Sequence, residues 1–69
     1  MTNQEFLIGV GSKIRAVRKE KGITLQQLSE ATDIARDNLS IVERGKRNPH
    51  ILSLKSIADV LGCDVKDFL

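Results

Sequence analysis

The sequence has no tryptophan or tyrosine and only one each of cysteine, histidine, proline and methionine. A single cysteine excludes an internal disulfide, and one cysteine with one histidine cannot furnish a structural zinc site. No apolar run approaches the ~20 residues of a membrane-spanning helix. Met1 to Phe6 lack the basic region and following apolar stretch of a secretion signal, which points to a cytoplasmic protein. Catalytic groupings are missing as well. Cys63 and His50 fall on unrelated elements, no glycine loop offers a phosphate site, and the acidic residues are scattered at surface spacings. No enzyme activity, metal or cofactor is expected. Without a repeat, linker or low-complexity tract, residues 1–69 read as one domain, with no room for an effector-binding unit. A chain this short buries only about 60% of its unfolded surface, so association with a partner would help it.

What the chain does have is charge, unevenly placed. The formal net charge is +2, yet five of the eleven basic residues lie between Lys13 and Lys21 and four more between Arg36 and Arg47. Acid gathers at Asp59, Asp64 and Asp67. One basic run alone is usually a solvated face. Two on one small domain point toward a polyanion, with the acidic end left for another contact.

The second run overlaps the most informative stretch, Thr24 to Arg44. Thr24 with Gln27 three residues later is a capping box, so a helix starts there. Leu25, Leu28 and Ala31 form its apolar stripe, Ser29 is small enough to admit a crossing helix, and the helix ends near Thr32 with Asp33 in the turn. From Arg36 to Arg44 the helical period resumes, with Leu39 and Val42 facing inward beside Ile34. Arg36, Asp37, Ser40, Ile41 and Arg44 lie opposite. A forked cation, a carboxylate, a hydroxyl and an apolar group together suit base edges in a major groove, although the same mixture also occurs on solvated helices. Arg36, Asp37, Ser40 and Ile41 are the candidate base contacts.

Around this unit, Leu7, Val10, Ile14 and Val17 predict a first helix over about Gln4 to Lys21, ended by Gly22. Gly9 and Gly11, each costing about 1 kcal/mol in a helix interior, predict fraying before Ser12. Lys46 to His50 form a loop, because Pro49 lacks an amide and restricts Asn48. Lys46 and Arg47 there are placed to grip phosphate, and His50 is a loop or helix-capping residue. Ile51 to Leu61 form a helix with Leu54, Ile57, Ala58 and Leu61 inward and Gly62 at its end. Asp64 caps a last turn in which Phe68 plugs the core. Leu52, Val60, Cys63, Val65 and Leu69 then remain as surplus apolar surface, a candidate dimer interface; Cys63 is read as apolar filler.

The run from Gly22 to Leu69 resembles the Cro/repressor-type, XRE-like helix-turn-helix family. Gly22, Thr24, Leu28, Ile34, Leu39, Ser40, Val42, Glu43, Arg44, Gly45, Arg47, Pro49, Leu54, Ile57, Ala58, Leu61 and Gly62 fall in register with its pattern. ERGKRNP is similar to the controller proteins of restriction-modification systems. The resemblance implies an all-α, compact five-helix, lambda-repressor-like fold with its helix-turn-helix at about residues 24–44. It also implies an ion pair between Arg18 and Glu43, phosphate contacts from Gln26, Asn38, Arg44, Lys46 and Arg47, and dimerisation through the C-terminal region.

Three positions depart from the pattern. Leu25 replaces a phosphate-contacting Gln, a role expected to pass to Gln26. Asp33 replaces the turn Gly and tolerates its left-handed conformation. Ala35 replaces a hydroxyl N-cap, a loss of roughly 1 kcal/mol, which Asp37 partly answers by facing the helix dipole. The implied function is a homodimeric regulator on a palindromic double-stranded DNA operator, either a restriction-modification controller or a phage-type repressor, with RNA polymerase as a further partner and no small-molecule effector. The alternative is an antitoxin-like protein-interaction module of the same fold.

Overall fold

The computed structural model describes all residues 1–69: α1 (Asn3–Glu20), α2 (Leu25–Thr32), α3 (Arg36–Glu43), α4 (Ile51–Leu61) and a 3-10 turn (Val65–Phe68), with no strand. The expected five-helix count becomes four α-helices and this turn. The last segment is too short for a helical ladder and closes through Asp67 N–H to the Asp64 carbonyl (2.9 Å) and Leu69 N–H to the Lys66 carbonyl (3.1 Å). Asp64 N–H also donates to Oδ2 of Asp67 (3.0 Å).

α1 starts at a capping box formed by Thr2 and Glu5. It then runs without a break through Gly9 and Gly11, where fraying had been expected. Gly11 is buried against the end of α3, and a methyl group there would collide with the carbonyl oxygens of Val42 and Glu43. The missing side chain lets two backbones meet, and that packing offsets the weak helix propensity. Opposite it, Gly45 closes α3 with φ at +73° and lies against Ile8. Its neighbour Lys46 donates its N–H back to the Ile41 carbonyl (3.1 Å), which completes the reversal of the chain.

Val10, Ile14, Leu28, Leu39, Val42, Leu54, Ile57, Ala58, Leu61 and Phe68 form one core cluster. Phe68 is fully enclosed, so the short C-terminal turn is held by its one aromatic residue. Ala31, read as part of the α2 stripe, is exposed. The inward line instead continues from Leu28 to half-buried Thr32, whose hydroxyl donates to the Leu28 carbonyl (2.7 Å). α3 packs against α1 and α2, while α4 packs against α2 and the 3-10 turn. The C-terminal layer thus leaves the outer side of α3 uncovered.

Candidate nucleic-acid interface

The turn between α2 and α3 is fixed by side chains as well as backbone. Asp33 is left-handed, at φ 60° and ψ 29°. The Ser29 hydroxyl donates to the Ile34 carbonyl (2.6 Å), and Ile34 N–H donates to the Thr32 hydroxyl (3.3 Å). Ala35 contributes no side-chain cap, so the first amides of α3 have no side-chain acceptor, and Asp37 is the first-turn acid.

α3 is anchored from behind. Arg18 of α1 donates from Nε to Oε2 of Glu43 at 2.7 Å and from Nη2 to Oε1 at 3.0 Å, while Nη1 reaches the Ile23 carbonyl at 2.8 Å. The two side chains are only 8% and 5% exposed. The hydrogen bond with Glu43 pushes the Arg18 pKa further up, outweighing the burial that would lower it. No buried polar side-chain atom in the chain lacks a partner. One bidentate pair thereby ties α1, the α1–α2 loop and the end of α3 together.

On the outer side of α3, Arg36 and Asp37 are exposed and Ser40 and Ile41 half-buried. Exposed Arg44 donates from Nε to the Ser40 carbonyl (3.3 Å). Beside it a groove is lined by Arg15, Arg18, Leu25, Ser40, Glu43 and Arg44. Arg18 and Glu43 neutralise one another, so Arg15 and Arg44 set the groove's charge. Arg15 was not singled out from the sequence; the available signal was its place one helical turn before Arg18 in the Lys13–Lys21 run. Gln26 is exposed, with a long contact (3.5 Å) to Glu30. Lys46 makes no ion pair. Arg47, by contrast, folds back on α3 and donates from Nη1 to Oδ1 of Asn38 (2.7 Å). His50 caps α4 through its Nδ1, which accepts from Leu52 N–H (3.3 Å).

The C-terminal candidates do not form one patch. Leu52, Cys63 and Val65 line a shallow groove with Ile51, Lys55, Ala58, Asp59 and Asp64, whereas Val60 and Leu69 lie outside it. Ile51, Leu52 and Leu69 are 63%, 66% and 57% exposed. Burial, with Asp67 and Asp64 nearby, pushes the Cys63 thiol above its ordinary range, away from thiolate character.

Residues 14–68 match the helix-turn-helix family model HTH_3. The chain belongs to the XRE-type helix-turn-helix family. It is 39% identical over 56 residues to the immunity repressor protein of Bacillus phage phi105, covering 81% of this chain and 39% of the repressor. It is 38% identical over 61 residues to the transcriptional regulator SinR of Bacillus subtilis, covering 87% of this chain and 55% of SinR. The chain thus spans about half or less of these two relatives. Among solved structures, SinR in complex with DNA matches with a TM-score of 0.81 and 37% identity, over 86% of this chain and 95% of that one. The restriction-modification controller protein C.AhdI of Aeromonas hydrophila matches with a TM-score of 0.88 and 25% identity, over 91% of this chain and 96% of that one. No helix is long and apolar enough to cross a membrane.

Proposed function

We propose that the chain is a sequence-specific double-stranded DNA-binding transcriptional regulator that acts as a homodimer on a palindromic operator, in the manner of a phage repressor or restriction-modification controller. The observation that carries this is the outer side of α3: Arg36 and Asp37 stand exposed, with Ser40 and Ile41 half-buried beside them, on a helix pinned from behind by Arg18 and Glu43. Arg36 bonds O6 and N7 of a guanine, Asp37 accepts from a cytosine amino group, and Ile41 meets a thymine methyl. Cations flank this strip. Lys46 and Arg47, with Asn38 beside Arg47, grip phosphate on one side, while Arg44, Arg15 and Gln26 do so on the other. SinR, whose structure holds DNA, supplies the likeness that supports this placement.

The test compares two arginines on duplexes selected from a random library. Arg36→Ala relaxes preference at one base pair per half-site, by about 1–3 kcal/mol, with much less effect on non-specific binding. Arg47→Ala weakens specific and non-specific DNA alike and lowers the salt slope by about one unit. A uniform loss across all duplexes for Arg36→Ala would make Arg36 another phosphate contact and remove the base-reading assignment.

A further inference from the structure

Arg47 leaves α3 by way of the Gly45 reversal and would be expected to trail into solvent, as Lys46 does. Its guanidinium instead returns to the flank of α3 and meets Asn38 at 2.7 Å. Asn38 is half-buried on the helix, and the bond it accepts from Arg47 lies at the surface. The chemistry fixes the orientation of the amide. A guanidinium has no acceptor, so the carbonyl oxygen of Asn38 must face it, and Nδ2 with its two donors points away. An oxygen committed to Arg47 would in any case repel phosphate. Arg47 has no other side-chain or backbone partner, and its remaining donors are unmet by the protein.

We infer that Asn38 is a positioning residue for Arg47, holding the guanidinium on the flank of α3 so that the phosphate grip is set in register with the base-reading side chains. This rests on the DNA-binding reading above and refines it, since Asn38 then acts through Arg47 and not as an independent phosphate contact. An unrestrained arginine on a loop must be ordered when DNA arrives, and ordering one such side chain weakens binding by about two- to tenfold. The hydrogen bond to Asn38 carries that ordering in the free protein. It also links a loop to the rigid helix, so the distance between the gripped phosphate and the base read by Arg36 does not drift.

The experiment is a double-mutant cycle on a mixed-sequence synthetic duplex, followed by fluorescence anisotropy over a salt series, with circular dichroism verifying that each variant is folded. Asn38→Ala is expected to lose about two- to tenfold in affinity with its salt slope unchanged, because Arg47 still neutralises a phosphate once bound. Arg47→Ala loses affinity and about one unit of slope. The double variant should match Arg47→Ala alone, and Asn38→Gln, which keeps the amide acceptor, should recover most of the loss. If Asn38→Ala costs its full factor again in the Arg47→Ala background, or lowers the slope by itself, Asn38 does not act through Arg47. Should the wild-type chain fail to bind duplex at any salt, the DNA-binding reading falls, and the positioning role with it.

Discussion

At the scale of single residues, the most consequential pair is Arg18 and Glu43, which lie 25 positions apart in sequence and meet in the interior. Nothing in local periodicity brings them together; resemblance to a family suggested the partner, and the geometry shows both carboxylate oxygens engaged. Removing one side strands the other charge, at a cost of about 3–5 kcal/mol. At the usual ~0.05–0.15 kcal/mol per residue, 69 residues hold about 3–10 kcal/mol in all. Glu43→Ala should therefore remove a third or more of the stability and lower the melting temperature by at least about 10 °C. Glu30→Ala, at an exposed site with one long hydrogen bond, should melt within a few degrees of the wild type. Equal melting temperatures for the two variants would show that the ion pair does not hold α3 in place.

At the scale of elements, α1 separates what propensity tells from what packing decides. Its two glycines look equivalent in sequence, and propensity treats both as weak points. In the fold, Gly9 has nothing near its missing side chain, whereas Gly11 faces the carbonyl oxygens at the end of α3. The same substitution should therefore have opposite signs at the two sites. Gly9→Ala is expected to raise stability by about 0.5–1 kcal/mol through helix propensity, and Gly11→Ala to lower it by about 1–3 kcal/mol through overpacking. Chemical denaturation of both variants decides it, and stabilisation by both would mean that α1 does not approach α3 so closely. Signals confined to a few neighbouring residues were legible in advance: the Thr24 capping box, left-handed Asp33, Gly62 at the end of α4, and Phe68 as core plug. Features that depend on a distant partner were not. The close approach at Gly11 and the Asn38–Arg47 bond join segments whose spacing encodes no contact. Arg15 was hidden for a related reason, because a basic run shows that charge is present and not which member faces the groove beside α3.

At the scale of the whole molecule, the proposed DNA-reading surface and the C-terminal apolar groove are carried by different elements. α3 and its flanking cations make the first, while α4 packs on α2 and the 3-10 turn packs on α1 and α4. The domain measures 31 × 22 × 20 Å. Two abutting copies therefore have centres closer than the ~34 Å between successive major grooves on one side of a duplex. In the proposed dimer, α3 of each copy would then sit outward from the twofold axis, which a contact through α4 allows and one through the outer side of α3 does not. The groove at Leu52, Cys63 and Val65 also contains Lys55, paired with Asp59 at 2.9 Å, and Asp64, so its charges are mixed and compatible with a self-complementary twofold contact. Leu52→Asp tests this without threatening the fold. Leu52 is exposed and is the second residue of α4, where an added carboxylate favours the helix dipole. On the proposed dimer, the wild type should sediment as a dimer, and the variant should keep its helical circular dichroism, sediment as a monomer at the same concentration, and lose affinity for a two-half-site operator while binding an isolated half-site as well as before. Unchanged sedimentation together with unchanged operator affinity would move the interface away from this groove.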